Sequence, residues 1–474
     1  MTTKQSRLTT FEHQIRRLDK RLVSLRRVSD QISALRLAIF AGGFVLAFIA
    51  NFAVGEWAFW LTSAITIVAF ALAVRIHRRI LRSIAEVTTW RQIKARQIAR
   101  MTLDWAHIPL PLPQSDDPLS VDLDLVGERS IHHLLDTAIS YEGSQRLRDW
   151  LLNTQPNPQT IAQRQALVKE LLILPLFRDK LNLRGRLASA GAGRQWKVKR
   201  VLDWFDQQAP TSSLRPTLQL LTVLACINIA LFALSAMTNF PSFWVVTLLV
   251  YLTILFVKSR DLAGLFEAVL SVQDALSKLS AVFSHLEKYP YRRESRLKSL
   301  CQPFLDSTNR PSAQLRRIAR VATAVSVTHT PSLWLLINAV VPWDMYFAHL
   351  LNGYKAEITA LLPDWLEVWI ELEALSSLAN FGTLNPEYTF PDIAANTSQS
   401  PVLEARQLGH PLLTEDHKIC NDFTVDKLGQ VITITGSNMS GKSTFLRTLG
   451  INLCLAYAGS PVNAVALRTA PFRV

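Results

Sequence analysis

The sequence predicts a mainly α-helical protein with transmembrane helices, joined at its C-terminal end to part of an α/β domain. Three observations lead to this prediction. Uncharged runs of membrane-spanning length occur in two separate pairs. Between and after these pairs, apolar residues recur at the three-to-four spacing of amphipathic helices. Near residue 440, a glycine-rich turn separates a run of β-branched residues from another helical pattern.

The composition fits a protein that is partly embedded in a membrane. Of 474 residues, 49% are hydrophobic, and the mean hydropathy of +0.17 is high for a soluble protein. The formal net charge of +14 suits a phosphate-rich partner, either nucleic acid or an anionic membrane surface, although basic residues also orient membrane helices. The four cysteines lie far apart without metal-ligand or disulfide spacing, which indicates a reducing compartment.

The N-terminal part of the chain predicts a membrane hairpin. Residues 1–33 form a basic helical pattern that we expect to lie in the cytoplasm. Two uncharged runs follow, 37–54 and 57–74, with a two-residue link between them. Each run is long enough to cross a bilayer, so we predict a transmembrane hairpin over 34–76. Arginines flank the pair but are missing from its turn, which places both ends in the cytoplasm.

The middle of the chain combines soluble helices with a second hairpin. Residues 77–118 are predicted to form another basic helix and a proline-rich linker, and 119–213 to form a core of amphipathic helices. The uncharged runs 217–237 and 243–257 predict a hairpin over 214–258, again with basic residues only on its flanks. The two hairpins together predict four spans, a multi-pass protein in a lipid bilayer, and cytoplasmic termini. The last run is short for a span.

Residues 259–395 are predicted to form long helices. An apolar stripe covers 261–288, and a second helical pattern covers 343–380 with an expected break at Pro363. The segment between them is rich in arginine, which could contact nucleic-acid phosphates, although a solvated helix face explains the pattern as well. The candidate contacts are Arg292, Arg293, Arg296, Arg316, Arg317 and Arg320.

The motif that carries chemistry has the pattern G-x-x-x-x-G-K-S of a phosphate-binding loop. The β-branched run 431–435 before it predicts a strand, and the apolar spacing after it predicts a helix. The helix N-terminus would hold the phosphates of ATP, with Lys442 reaching the β- and γ-phosphates and Ser443 ligating Mg²⁺. The candidate ATP site consists of Gly436, Ser437, Asn438, Met439, Ser440, Gly441, Lys442, Ser443 and Thr444.

The loop resembles that of the MutS family of DNA mismatch-repair ATPases, which reads T-G-P-N-M-(G/S)-G-K-S-T. This chain has T-G-S-N-M-S-G-K-S-T, in which the pair Asn438 and Met439 is typical of that family and Ser437 replaces the proline. Other segments are similar to the family in residues and spacing. They are 143–152 with 161–168, 372–381, 405–413 with Asn421 and Asp422, and 459–464, where Asn463 replaces a proline.

The resemblance implies that 396–474 is the N-terminal part of a MutS-type ATPase domain, with ATP and Mg²⁺ as cofactors. It also implies a homodimer through that domain and double-stranded DNA as a possible partner. The sequence extends 474 − 443 = 31 residues beyond Ser443, short of the family's acidic Walker B strand. We therefore expect no catalytic residue in this chain and weak ATP binding without turnover. The chain would then be a truncated gene model, a fragment, or one half of a split ATPase whose partner polypeptide supplies the rest of the domain.

A consequence of that expectation concerns stability. Without further strands, the run 431–435 would have an unpaired edge, and the apolar face of the following helix would be uncovered. The C-terminal segment is therefore expected to be marginally stable.

Two alternatives come from other functional classes. An ABC exporter half would need about six consecutive spans and a Ser-Gly pair in the loop, whereas this chain has two separated pairs of runs and an Asn-Met pair. An ATP-responsive membrane scaffold without a nucleic-acid role would show no salt-dependent affinity for duplex DNA.

Overall fold

The computed structural model of the chain describes all residues except 1–2, 116, 189–196, 207–213, 239–240, 307–308, 327–330, 396–400, 438–440 and 474. The described residues are mostly helical, with a small mixed sheet near the C-terminal end, which confirms the predicted mainly helical class. The boundaries of the predicted segments stay predictions.

The helices fall into four groups along the chain. The first two are α1 (Lys4–Ala53) and α2 (Glu56–Thr102). The next six are α3 (Pro118–Asp122), α4 (Ile131–Leu135), α5 (Tyr141–Leu151), α6 (Pro158–Leu172), α7 (Pro175–Ala188) and α8 (Lys199–Asp206). Then come α9 (Leu214–Met237), α10 (Trp244–Lys288), α11 (Arg296–Leu300), α12 (Pro311–Ser326), α13 (Pro331–Val340), α14 (Trp343–Thr359) and α15 (Leu362–Leu384). The last is α16 (Lys442–Ala458), and two short 3₁₀ turns cover Trp105–His107 and Gln302–Phe304.

Helices α1 and α2 form one long antiparallel hairpin. The turn between them needs Gly55, whose φ of 118° lies in a region that other residues rarely adopt. Around this turn the large apolar side chains point outward, as Phe44 and Trp60 show. The other end of the hairpin is different, because Phe11 and Met101 pack there against Leu384 of the core. The hairpin therefore has an apolar outer half and a basal half built into the protein.

Among the helices of the described residues, α1, α2 and α9 are long and apolar enough to cross a membrane. The expected fourth span is not among them. The apolar part of α10, 244–257, ends at Lys258 and has a length of roughly 21 Å at about 1.5 Å per residue, against a hydrocarbon core of about 30 Å.

Helix α10 contains two elements that the sequence predicts as separate, the apolar run 243–257 and the helical stripe 261–288. It continues without interruption from its apolar start, which packs on α9, to the stripe 261–288, which packs on α7 and α12. The stripe itself is as predicted, since Val272, Leu279 and Phe283 are all buried. One helix thus connects the second apolar pair with the main core.

The main core surrounds α15, which is buried along most of its length. Helices α2, α4, α5, α6, α7 and α14 all pack on it. The helical conformation is interrupted at residues 360–361, between α14 and α15. Pro363 lies in the first turn of α15, where a backbone N–H would have no hydrogen-bond partner within the helix, so its absence costs nothing. The break expected near Pro363 is therefore confirmed.

The strands are β1 (Asp392–Ile393), β2 (Leu403–Leu408), β3 (Asn421–Val425) and β4 (Ala466–Thr469). Their order is β1-β4-β2-β3, with β2 antiparallel to both neighbours and β1 parallel to β4. Strands β1, β2 and β3 follow α15 in the chain, β4 follows α16, and the segment after β3 leads into the glycine-rich loop.

Two expectations for this region are wrong. Residues 431–435 do not form a strand, and Val431 is 89% exposed, because among the described residues no strand lies beside this run to bond its backbone. The apolar face of α16 is covered, since α5 and α6 pack on it and Ile451, Leu455 and Ala458 are buried. After α15, the described residues form a small mixed sheet and helix α16, and a P-loop ATPase domain is not shown.

Glu373 ties the centre of α15 to the start of α5. Its carboxylate accepts hydrogen bonds from the backbone N–H groups of Ile139 (3.0 Å) and Ser140 (3.3 Å), and from the hydroxyl of Ser140. Gly143 has no side chain, and a larger residue at this position would have no room, because its Cβ atom would lie 2.2 Å from this carboxylate. Burial raises the pKa of Glu373 to about 7, although these hydrogen bonds oppose the shift.

We predict that Glu373→Gln removes a pH dependence of folding. Because the native pKa of about 7 lies above the reference value of 4.5, the native state keeps a proton that the unfolded chain has lost between these values. The free energy of unfolding of the parent should therefore fall as pH rises from about 4.5 to about 7. Chemical denaturation in detergent at several pH values measures this slope. The exposed Glu357→Gln should keep the parent slope, and a parent slope in Glu373→Gln would contradict the assignment.

Candidate functional site

The glycine-rich motif lies at the exposed N-terminal end of α16. Gly441 precedes the helix with a φ of 82°, a left-handed conformation that suits glycine, and its carbonyl accepts the N–H of Phe445 (2.9 Å). The side chains of Ser443 and Thr444 in the first turn are exposed. The positive end of the helix dipole and the first backbone N–H groups therefore face solvent, an arrangement that favours an anion.

Lys442 folds back over the loop. Its ammonium donates hydrogen bonds to the carbonyl oxygens of Gly436 and Ser437, the second at 2.6 Å. A positive charge is thereby held between the start of the loop and the start of the helix. Asn438, Met439 and Ser440 lie outside the described residues, so the centre of the predicted ATP site is not described. The remaining predicted residues are described. They are Gly436 and Ser437 before the gap, and Gly441, Lys442, Ser443 and Thr444 after it.

The candidate Mg²⁺ ligand is the hydroxyl of Ser443. In the part of the chain that the structure describes, no group of three or more His, Cys, Asp or Glu side chains could hold a metal ion. A hydroxyl is a single oxygen ligand, and Mg²⁺ commonly keeps several waters and binds phosphate oxygens. Mg²⁺ at Ser443 would therefore need the phosphates of a bound nucleotide.

Helix α16 is fixed to the core by contacts at its exposed and buried ends. Arg447 forms an ion pair with Asp124 (3.0 Å) in the turn between α3 and α4. One turn further along, Gly450 lets the helix approach Leu123, because a Cβ atom there would lie 2.6 Å from that side chain. Gly459 ends the helix in the left-handed conformation with a φ of 83°.

Asn452 is a buried structural position next to the site, and its spacing in the sequence does not reveal its partners. Its fully buried amide donates to the carbonyls of Thr448 (2.7 Å) and Gly409 (3.0 Å) and accepts the N–H of Asn463 (2.9 Å). It thus links α16 to the segment after β2 and to the turn before β4. The signal was present, since Asn452 is a polar residue within the apolar stretch of the helix. A proline at position 463 could not donate this hydrogen bond, which gives the departure from the family pattern a local reason.

Three histidines, His132, His133 and His410, have structural surroundings. His410 is buried and accepts the N–H of Leu412 (3.3 Å), and burial lowers its pKa. His132 is buried beside Ser144, with 3.0 Å between its Nε2 and the Ser144 carbonyl oxygen. His133 is buried with its Nε2 3.0 Å from the carbonyl oxygen of Ile108. These contacts hold loops together.

The six candidate nucleic-acid contacts are all exposed. Arg316, Arg317 and Arg320 lie on α12, and Arg317 also stacks over Tyr354 at 5.9 Å. The others, Arg292, Arg293 and Arg296, lie between the end of α10 and the start of α11. The hydroxyl of Ser312 bonds Glu287 (2.6 Å), which brings the start of α12 beside the end of α10. The two groups of arginines therefore belong to neighbouring parts of one helical module.

Part of this chain is similar to mismatch-repair proteins. A "DNA mismatch repair protein MutS" of Chlorobium phaeobacteroides is 35% identical over 121 residues, which are 24% of this chain and 13% of that protein. The corresponding protein of Chlorobium chlorochromatii is 41% identical over 100 residues, which are 20% and 11%. The "DNA mismatch repair protein MSH3" of Candida glabrata is 26% identical over 142 residues, which are 29% and 13%.

These similarities support a relation between this chain and MutS proteins. The chain matches only about an eighth of the length of these relatives. No family model matches the chain. The relatives are mismatch-repair proteins, and they give no support to the two alternatives, an ABC exporter half and an ATP-responsive membrane scaffold.

Proposed function

We propose that this protein binds ATP at the N-terminal end of α16 and acts as a membrane-anchored ATPase component of the mismatch-repair type. The observation that carries the proposal is the ammonium of Lys442, held over the start of the loop at an exposed helix N-terminus. The similarity to MutS proteins supports the same function. Mg²⁺ would bind with the nucleotide, through Ser443 and the phosphate oxygens.

Membrane anchoring is supported by the apolar outer surfaces of α1, α2 and α9. Helix α13 adds to this surface, since it packs beside α9 and exposes Leu335 and Leu336. The hydroxyl of Tyr251 on α10 donates to the carbonyl of Asn338 (2.7 Å), which holds α13 against the second apolar pair. We propose that α1, α2, α9 and α13 all contact the bilayer, with the basic helix ends in the cytoplasm.

A partner at the nucleotide site is supported by the apolar residues around the loop. Val431 and Leu446, on either side of the motif, are 89% and 52% exposed. Exposed apolar side chains beside a binding loop favour a protein interface. We propose that the partner is a second copy of this chain. A copurification experiment tests this, and its other outcome would be a different polypeptide that carries further strands.

Double-stranded DNA is the proposed macromolecular ligand. Arginines suit this role because their charge releases counterions from phosphates. The exposed set on α12 and around α11 offers several such contacts on neighbouring elements. These contacts carry no sequence information by themselves, so we propose backbone binding and not direct mismatch recognition.

The ATP proposal predicts that Lys442→Ala loses ATP·Mg²⁺ binding, with an affinity at least about 100-fold lower. Removal of the ammonium removes two or more charge-assisted hydrogen bonds to phosphate, each of about 1.5–3 kcal/mol. Equilibrium binding of a fluorescent ATP analogue measures the change. Lys427→Ala removes an exposed lysine just before the loop and should bind like the parent.

Ser443→Ala should lower the ATP affinity that is measured with Mg²⁺ more than the affinity that is measured without the metal.

For Lys442→Ala, an ATP affinity equal to that of the parent would show that the loop assignment is wrong.

The membrane proposal predicts that the full chain sediments with membranes and needs detergent for extraction. Deletion of 1–33 alone should not change this, because both apolar pairs remain. The measurement is fractionation followed by washing with carbonate and with high salt, which removes proteins held only by charge. Release of the chain by either wash would contradict the proposal.

The DNA proposal predicts a salt-sensitive affinity for duplex DNA. Replacement of Arg316, Arg317 and Arg320 by glutamine should lower affinity and reduce the slope of log K against log salt by about 3, since each lost phosphate contact contributes about 0.9. Titration at several salt concentrations measures the slope. The matched control replaces Arg16, Arg17 and Arg21 of α1, which removes the same charge elsewhere. Equal slopes for the two triple variants would exclude α12 as the contact surface.

A further inference from the structure

A small cavity lies inside the protein where the basal part of α2 meets α7 and α15. Its volume is about 40 Å³, and residues 137–139 close one side. A water needs about 10–15 Å³ of such space, so the cavity could hold about three waters or one small ion. It is remote in sequence from the glycine-rich loop and from the exposed arginines of α12.

The walls of the cavity carry more positive than negative side chains. Two carboxylates line it, Asp179 and Glu373. Asp179 already pairs with Lys94 of α2, at 2.5 Å between Nζ and Oδ2. Against these, four guanidinium groups line the cavity. They belong to Arg96, Arg100, Arg178 and Arg186.

Three of these guanidinium groups bond neutral acceptors, and one of them is Arg186, whose Nε donates to the Oδ1 of Asn182 (2.5 Å). The Nε of Arg100 donates to the carbonyl of Leu134 (2.9 Å), and the Nε of Arg178 donates to the carbonyl of Leu171 (3.0 Å). Carbonyl oxygens satisfy the N–H groups but do not neutralise the charge. Burial lowers the pKa of Arg100 and of Arg178 to about 10 each, and that of Arg186 to about 9. The surroundings therefore disfavour these charges as they stand.

Three buried polar atoms of the lining have no hydrogen-bond partner among the described residues. They are the Nδ2 of Asn380, the Oγ of Ser376 and an Nη of Arg96. Asn380 is only 5% exposed. Its amide orientation follows from Gln97, whose Nε2 donates to the Asn380 Oδ1 (3.2 Å). All three groups can donate a hydrogen bond, and the amide and guanidinium nitrogens can only donate.

We propose that this cavity binds a small inorganic anion, either chloride or a tetrahedral oxyanion such as phosphate. One anion would accept hydrogen bonds from the three unpartnered donors and offset the excess charge of the guanidinium groups. Water could satisfy the donors, but it would leave the charge uncompensated. Since α2 continues into the first apolar hairpin, an anion here would strengthen the junction between that hairpin and α15.

The experiment is thermal unfolding of the detergent-solubilised full chain at constant ionic strength, with sodium gluconate replaced stepwise by sodium chloride or sodium phosphate. A specific site should raise the unfolding midpoint with a saturable dependence on anion concentration. Saturation with chloride indicates a halide-sized site, and saturation with phosphate alone indicates an oxyanion site. Repetition in Lys442→Ala separates this effect from phosphate binding at the glycine-rich loop, and the effect should persist there.

Variants then locate the site. Arg96→Gln and Arg186→Gln should raise the half-saturating anion concentration at least tenfold. The control is Arg184→Gln, on the same helix as Arg186 but exposed and paired with Glu86, and it should match the parent. If the cavity variants do not fold, equilibrium dialysis of the parent with radiolabelled chloride and phosphate decides, with about one bound anion per chain expected. No saturable dependence in the parent, no bound anion in dialysis, or equal responses of all three variants would overturn the proposal.

Discussion

Helix α15 is buried on every side from Leu372 to Gly382, whereas Asp364 and Glu367 in its first half are exposed, and this burial constrains much of the remaining structure. A polar side chain in the buried part needs a hydrogen-bond partner, since an unmatched buried group costs about 1–3 kcal/mol. Glu373 accepts the N–H groups at the start of α5, Ser377 accepts the N–H of Thr137 (3.1 Å), and Asn380 accepts from Gln97 of α2. These bonds fix the register of α15 against the first hairpin and against the loop before α5.

The same packing joins the apolar helices to the candidate nucleotide site. Helix α16 packs on α5 and α6, these two pack on α15, and α15 packs on α2, which continues into the first apolar hairpin. A second connection runs through α10, which extends from the apolar region into the main core. Packed helices therefore connect the apolar helices with the candidate nucleotide site. A change at the loop could reach the membrane helices only by moving these packed elements, for which coupling has to be measured.

Much of the helical fold was predictable, because periodic apolar spacing depends on local sequence. The stripe 261–288 is helical and buried as its spacing predicted, and Pro363 correctly indicated a break. The strand predicted at 431–435 failed for a different reason. β-branched residues favour a strand only where another strand bonds their backbone, and among the described residues this run has no such neighbour. The apolar run 243–257 predicts a separate span, but it is the first part of the longer helix α10. The apolar pattern does not show that this helix continues past Lys258.

The sequence by itself determined the chemistry of the glycine-rich loop, the apolar runs and the resemblance to mismatch-repair ATPases, since each depends on residues adjacent in the chain. Only the tertiary structure decided how distant residues meet. It showed that Asn452 bonds both Gly409 and Asn463, that α5 and α6 cover α16, and that arginines of α2 and α7 line one cavity with Asn380 of α15. The hydrogen bond between Gln97 and Asn380, for example, joins residues 283 positions apart. Local spacing carries no information about such pairs, because they form only when the helices pack.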